Sequence, residues 1–272
     1  MGTAADKAHE VRHNPAVQVL GRVGMACYGL VHVLLAWLTA QVVFGDSGEQ
    51  TDQKGALGTI AETSFGPVLL WLLALGLFAF SVWQFTLAAM GYHWIPKERK
   101  RLVKRISAGV RGIIGITLGV AAISIASGSG GGDSEQQQQD LTAKVLELPA
   151  GQFLVGLVAL GVLAVAFFIA RKGVTKSFEE DLDMGDLPTG TRQWVERLGR
   201  VGFLGKGIAI AVIGVLLGIA AVNSDPQQSG GLDKALHTLA AQPFGVFLLA
   251  VIALGFLGYG VYCFAAARAH KS

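Results

Sequence analysis

Leu20-Gly21-Arg22-Val23-Gly24 recurs almost letter for letter as Leu198-Gly199-Arg200-Val201-Gly202, and a weaker copy begins at Arg105. In each copy a glycine follows the arginine by seven positions, and a second apolar segment downstream contains Ala-Leu-Gly, at 74–76, 159–161 and 253–255. Self-similarity on this scale is the signature of a repeat architecture. The chain is therefore predicted to contain three copies of one unit, each with two apolar segments.

The composition predicts a membrane protein. Apolar residues make up 52% of the 272 residues, charged residues make up only 15%, and the mean hydropathy is +0.51. These values exclude an ordinary soluble domain. Six apolar blocks are long enough to cross a hydrocarbon core of about 30 Å, at 23–44, 65–89, 106–126, 153–170, 201–222 and 244–267. They predict an all-α polytopic protein of three tandem helical hairpins.

The distribution of lysine and arginine predicts the orientation. Seventeen of these residues lie in the termini and in the loops after the second and fourth blocks, whereas the other three loops carry one lysine each. Because basic loops stay on the cytoplasmic side, both termini are predicted to be cytoplasmic. The basic run from Lys97 to Arg105 is interpreted as a topology signal resting on anionic lipid headgroups, and not as a nucleic-acid surface.

The repeats set the predicted domain boundaries. We expect repeats at 20–96, 105–172 and 198–267, cytoplasmic linkers at 97–104 and 173–197, and cytoplasmic tails at 1–19 and 268–272. Because each repeat has two spans, all three insert the same way round, related by an axis along the membrane normal. A pseudo-threefold bundle is favoured over an open row of hairpins, since closure buries more small faces.

Small residues predict where helices approach closely. Gly115 and Gly119 are spaced four residues apart, as are Gly214 and Gly218, and this spacing is typical of close-packed transmembrane helices. Gly119 and Gly214 align with Ala36, so the position is small in every copy.

The connections between spans differ among the repeats. In the first and third repeats, apolar residues at 57, 60 and 61 and their counterparts predict a short helix before the second span. In the second repeat, the Gly/Ser run at 128–132 and the glutamines at 136–139 predict a flexible spacer instead. The acidic stretch at 179–186 lacks the ligand pattern of a calcium loop and is interpreted as a solvated linker.

Six residues beyond the arginine, the three copies hold Tyr28, Arg111 and Lys206. A cation at mid-membrane costs about 2.5–3.5 kcal/mol on insertion scales, so such side chains usually face the bundle or water. With His32, one turn deeper, these residues form the candidate intramembrane polar site, either an anion or headgroup site or a gate. The alternative is snorkelling and helix docking. The arginines that open the odd-numbered spans are interpreted as interfacial anchors: Arg22, Arg105 and Arg200.

No catalytic constellation is visible in the sequence. The six blocks contain no Asp or Glu, which argues against a proton- or sodium-coupled relay, and His9 and His13 have no third metal ligand. We therefore expect no enzyme, no metal and no cofactor. Two functions remain open. One is a small transporter or channel with Arg111 and Lys206 lining a cationic cytoplasmic vestibule. The other is a non-catalytic scaffold or accessory subunit that binds lipid or an unidentified protein partner.

These features resemble a known family. Helix pairs that occur three times, opened by Leu-Gly-Arg-Val-Gly and continued by Phe-Gly and Ala-Leu-Gly, are similar to the bacterial membrane proteins grouped as the domain of unknown function DUF1206. The resemblance covers about residues 20–267 and implies the six-span topology and a bacterial inner membrane, but no activity. Repeats of that family typically carry Ala-Arg-Gly. This chain has Cys-Tyr-Gly at 27–29, Val-Arg-Gly at 110–112 and Gly-Lys-Gly at 205–207, so the first copy lacks the cation.

Overall fold

The computed structural model describes residues 15–45, 50–92, 95–129, 134–182 and 189–269. In these residues the regular structure is helical, with two short 3-10 turns at Glu179–Asp181 and Pro226–Gln228. The α-helices are α1 (Pro15–Val43), α2 (Gln53–Ala61), α3 (Gly66–Met90), α4 (Glu98–Ala126), α5 (Ser134–Leu146), α6 (Gly151–Val174), α7 (Thr189–Asn223), α8 (Leu232–Ala240) and α9 (Gly245–Ala269). His9, His13 and positions 183–186 of the acidic stretch lie outside the described residues.

Six of these helices are long and apolar enough to cross a membrane: α1, α3, α4, α6, α7 and α9. They confirm the predicted all-α, polytopic fold with two spans in each repeat. Three of them begin earlier than predicted. Helix α1 starts at Pro15, inside the expected tail, and α4 and α7 start at Glu98 and Thr189, inside the segments that we expected to be linkers. Lysine, arginine and glutamate are good helix formers, and they extend α4 and α7 beyond their apolar blocks.

The repeats contact one another in a cycle. The second span of each repeat packs against the first span of the next: α3 against α4, α6 against α7, and α9 against α1. The glycine that follows each opening arginine marks the same contact every time. Gly112 faces Phe85, Gly207 faces Ala170, and Gly29 faces the backbone of α9. Since the contact returns to its starting repeat, the three repeats surround a pseudo-threefold axis, as predicted.

The glycines spaced four apart lie in these contacts between repeats. A Cβ on Gly119 would lie 3.0 Å from the Phe78 ring of α3, and one on Gly214 would lie 2.9 Å from Leu163 of α6. Gly115 likewise faces α3. Gly218 is looser, because its Cβ would lie 3.9 Å from that of Ala159. Ala36, aligned with Gly119 and Gly214, is also buried.

Three short helices cap the end of the bundle opposite to the start of α4 and α7. Helices α2 and α8 occupy the predicted positions, but the flexible spacer predicted for the second repeat is wrong at 136–139, which lie within α5. There, amide hydrogen bonds of 2.7–2.8 Å, four residues apart, stabilise the helix. Contacts between the repeats join the caps: Lys54 with Gln137, Lys234 with Glu135, and the Thr51 amide with Asp233.

Candidate functional site: a polar layer with one open repeat

Glycine and aromatic residues hold the two spans of the first and third repeats together. A Cβ on Gly24 would lie 2.5 Å from the Cα of Phe80, and one on Gly202 would lie 2.5 Å from the amide nitrogen of Tyr259. These two pairs occupy equivalent positions in their repeats. The last glycine of the repeated Leu-Gly-Arg-Val-Gly motif therefore allows α1 to approach α3, and α7 to approach α9, this closely.

The second repeat lacks both halves of this contact. Ser107 stands at the glycine position and Val165 at the aromatic position, and both are exposed. One turn further along α4, Val110 is also exposed. A Cβ on Gly161 would meet no atom within 4 Å, whereas one on the equivalent Gly76 or Gly255 would meet the first span of its repeat. Among the described residues, α4 and α6 form no contact comparable to α1 with α3 or α7 with α9. We call this opening, lined by Ser107, Val110, Gly161 and Val165, the repeat-2 cleft.

Tyr28, Arg111 and Lys206 occupy one layer of the bundle, and two of them rest on an aromatic ring of their own repeat. The ring of Tyr28 stacks on Phe80 with centroids 4.5 Å apart, and the Nζ atom of Lys206 lies 4.1 Å from the centroid of Tyr259. In the second repeat the equivalent partner is Val165, which has no ring. The layer is therefore asymmetric, because Arg111 has no aromatic ring of its own repeat beside it.

Lys206 is enclosed by protein groups. Its Nζ atom donates to the Tyr28 hydroxyl at 3.2 Å and to Nε2 of His32 at 3.1 Å. The other ring nitrogen of His32 lies 2.9 Å from the carbonyl oxygen of Tyr28 and must donate to it, since a carbonyl can only accept. This arrangement fixes a neutral tautomer whose Nε2 lone pair accepts from the lysine. The contacts of Lys206 and the buried His32 are those of a docked side chain.

Arg111 is held differently. Its Nη2 atom donates to the hydroxyl of Tyr92 at 3.2 Å and its Nε atom donates to the carbonyl of Ser107 at 3.3 Å. The guanidinium also lies within electrostatic range of Tyr259, Asp181 and Tyr28. Among the described residues no carboxylate forms an ion pair with Arg111, which is half-buried. Burial raises the pKa of Tyr92, so its phenol stays neutral.

A buried carboxylate ties α4 to α6 at the end of the bundle where α4 begins. One oxygen of Asp181 lies 2.6 Å from Nζ of Lys104 and the other lies 3.2 Å from Nζ of Lys172. We call this pair of contacts the Asp181 bridge. Asp181 is only 5% exposed, so the prediction of a solvated acidic linker is wrong at this residue. Lys104 itself stands at the position of Gly21 and Gly199 in the other repeats.

Glu180, the neighbour of Asp181, adds a more exposed pair of contacts. Its carboxylate lies 2.6 Å from Nζ of Lys100 and 3.2 Å from Nζ of Lys104. Partial burial alone would raise the pKa of Glu180, but the hydrogen bonds from the two lysines outweigh burial and lower it. The carboxylate is therefore ionised at neutral pH and supports the same junction.

The three opening arginines have different surroundings. Arg105 donates from Nε to the carbonyl of Ala88 at 2.6 Å, so it caps the end of α3. Arg22 is exposed beside a small pocket that also includes Ala267, the equivalent of Ala88. Arg200 is exposed. Their role as interfacial anchors stays a prediction.

The sequence interpretation grouped Tyr28, His32, Lys206 and Arg111, and the structure brings the first three into direct contact. The sequence interpretation missed Tyr92, Tyr259 and Asp181. A signal for the cleft was present in the aligned repeats, where Gly24 and Gly202 correspond to Ser107. The described residues contain no group of three or more potential metal ligands.

Three segments of the chain, 23–91, 106–176 and 201–270, match the family described as Domain of Unknown Function (DUF1206). The chain belongs to this family. It is 30% identical to an uncharacterised protein, YxxB, of Bacillus subtilis (strain 168). The 248 aligned residues cover 91% of this chain and 89% of that protein. No solved structure matches the chain. These matches confirm the resemblance drawn from the repeat motifs and leave the predicted linker boundaries as predictions.

Proposed function

We propose that this DUF1206 protein is a small transporter or channel-like bundle that admits an anionic ligand at Arg111. The observation that carries the proposal is the combination of an open repeat with a cation inside it. Arg111 lies in the central layer and contacts Ser107 of the repeat-2 cleft, and it lacks the ring partner of Lys206 and any ion pair with a carboxylate among the described residues. Asp181 acts on this guanidinium only at longer range, so a cation with unused N–H donors inside a membrane attracts an anion.

We propose further that the end of the bundle where α4 begins faces the cytoplasm of a bacterium, with both termini on that side of the inner membrane. The concentration of lysine and arginine at this end supports that orientation. The anionic headgroups of the cytoplasmic leaflet would then contact the basic segments. The protein acts without catalysis or cofactor and binds no nucleic acid.

The proposed vestibule has one ligand-binding cation, whereas the sequence suggested two. Lys206 already donates to Tyr28 and His32, so Arg111 is the group that remains able to bind a ligand. The chemistry of such a site is binding and release, because no nucleophile with an activating base accompanies Arg111 in the described part of the chain.

The test is anion flux in proteoliposomes, with chloride and inorganic phosphate compared. Arg111→Gln should lower the flux by roughly tenfold or more, the equivalent of one charge-assisted hydrogen bond. Arg200→Gln is the matched control, because it removes the same charge from an exposed position six residues before the layer. Flux that depends equally on both arginines, or on neither in folded protein, would contradict the proposal.

A scaffold or accessory subunit is the second candidate, and the exposure of α6 favours it. This helix buries one face, which packs against α7 and includes Ala159, Ala166 and Gly173. Large apolar residues elsewhere on α6, including Phe153 and Phe167, are exposed and available to a partner helix. Background flux in wild-type protein, together with a protein that co-purifies and is lost on substitution of Phe167, would favour this function.

A further inference from the structure

We propose that the ligand of Arg111 is an anionic phospholipid, which enters sideways from the membrane through the repeat-2 cleft and places its phosphate group on the guanidinium. This inference deepens the proposed function and rests on the anion site at Arg111. It names the class of ligand and its route.

The walls of the cleft fit an acyl chain. Val110 and Val165 are 51% and 52% exposed, and Gly161 leaves open space where its equivalents in the other repeats are in contact. The walls belong to two spans of one hairpin that do not pack together, so the cleft opens towards the hydrocarbon and not only towards water. A free inorganic anion approaching through these walls would lose its hydration, whereas a lipid tail would bury apolar surface.

The charge near the cleft is complementary to a phosphate. The cations at this end of the second repeat include Lys100, Lys104, Lys172 and Arg111, and the carboxylates beside them include Glu180 and Asp181. The Asp181 bridge occupies Lys104 and Lys172. Arg111 lies within electrostatic range of Asp181 but forms no ion pair with a carboxylate in the described residues. Positive charge beside a membrane surface attracts anionic headgroups over zwitterionic ones.

The geometry of Arg111 suits a phosphate held just below the headgroup plane. Arg111 lies six residues beyond Arg105, which is about 9 Å along a helix. Two of the five N–H donors of an arginine bind Ser107 and Tyr92, so the described residues leave three for a ligand. A guanidinium binds two phosphate oxygens at once in a planar fork. The phosphate of a lipid bound at this depth would lie deeper than the headgroups of the surrounding leaflet, towards the centre of the bundle.

The experiment measures retained lipid by native mass spectrometry after extraction from vesicles of phosphatidylglycerol and phosphatidylcholine. Val165→Tyr fills the cleft with the ring that Tyr259 provides in the third repeat. Leu160→Tyr adds the same bulk on the other flank of α6, since five residues at about 100° each turn it away from the cleft. Arg111→Gln removes the charge and leaves the cleft open. Val110→Phe, which fills the cleft from α4, replaces Val165→Tyr if that variant does not fold.

Wild-type protein and Leu160→Tyr should retain phosphatidylglycerol in preference to phosphatidylcholine, and Val165→Tyr and Arg111→Gln should each reduce that retention by roughly tenfold, as expected for one lost charge-assisted contact. Equal retention in all four proteins would overturn the inference, because the lipid would then be annular. Inorganic phosphate flux that needs Arg111 but is insensitive to Val165→Tyr, with no lipid retained, would overturn the lipid and its route while leaving the proposed anion site intact. If Arg111→Gln left both the flux and the lipid retention unchanged, the lipid ligand and the proposed anion site would both be overturned.

Discussion

The first and third repeats are closed by packing, whereas the second is open and tied by charge. In the closed repeats a glycine on the first span lies against an aromatic residue on the second, as Gly24 does against Phe80. In the second repeat Ser107 and Val165 take these positions and stay exposed, and the Asp181 bridge joins α4 to α6 instead. The loss of this repeated contact therefore accompanies an open hairpin, while the cycle of contacts between repeats remains.

The same comparison explains why the three equivalent polar residues differ in surroundings. Tyr28 and Lys206 each rest on a ring of their own repeat, and hydrogen bonds join them to each other. Arg111 has no such ring, so it turns to Tyr92 and its own backbone. Arg111 is thus the member of this layer that has no aromatic ring of its own repeat beneath it.

The largest effect that we predict is on the Asp181 bridge. Asp181→Asn removes the carboxylate between Lys104 and Lys172 and leaves two half-buried cations facing each other, so the free energy of unfolding should fall by about 3 kcal/mol. Thermal unfolding in detergent measures this change. Glu180→Gln is the control, because its more exposed contacts contribute about 1 kcal/mol or less. Equal losses in the two variants would show that the bridge does not hold the open repeat.

A smaller effect is predicted for the glycine contact. Gly24→Ala forces a Cβ against the backbone of Phe80, and overpacking of this kind costs about 1–3 kcal/mol. Ser107→Ala at the equivalent position of the second repeat should change the free energy of unfolding by about 0.5 kcal/mol or less, because that side chain is exposed. The melting temperatures of Gly24→Ala and Ser107→Ala, each compared with wild type, measure these two effects. A similar loss in both variants would mean that the second repeat is packed like the others.

The smallest effect that we predict is the pH dependence of Glu180. Its pKa is lowered in the folded protein, so its contribution to stability is present above the pKa of an unfolded glutamate, about 4.3, and is lost as the pH falls through the folded value. Wild type should therefore exceed Glu180→Gln in stability by up to about 1 kcal/mol at pH 7, and the difference should vanish in acid. A difference that grows on acidification would contradict this assignment.

Much of the fold follows from the sequence, because apolar length and internal repetition are local features. The six spans and the two short helices of the first and third repeats were predicted, and a closed bundle of repeats was favoured over an open row. The early start of α4 was not, since a basic helical turn has the same composition as a basic linker. Helix α5 was missed because its run of glutamines was interpreted as a low-complexity spacer. In the structure these glutamines form side-chain hydrogen bonds four residues apart.

The candidate site was predicted only in part, for a physical reason. Depth in the membrane follows from counting residues, so Tyr28, Arg111 and Lys206 were placed in one layer. Which cation is accessible depends on long-range partners, and Tyr92 and Tyr259 are close to them only in the folded bundle. Asp181 lies in an acidic run that looks solvated until Lys104 and Lys172 are brought beside it.

Disulfide formation between introduced cysteines tests the central claim most directly, in a protein carrying Cys27→Ala and Cys263→Ala. The Cβ positions of Gly109 and Ala88, between α4 and α3, and of Gly218 and Ala159, between α7 and α6, are 3.9 Å apart, within the range of a disulfide. Both of these cysteine pairs should cross-link rapidly on mild oxidation.

The third pair, Val110→Cys with Gly161→Cys, spans the repeat-2 cleft. Our account predicts that this pair stays reduced under the conditions that oxidise the other two, because nothing lies within 4 Å of a Cβ on Gly161. Rapid cross-linking of the pair across the cleft, matching that of the pairs between repeats, would show a closed second hairpin and contradict the account.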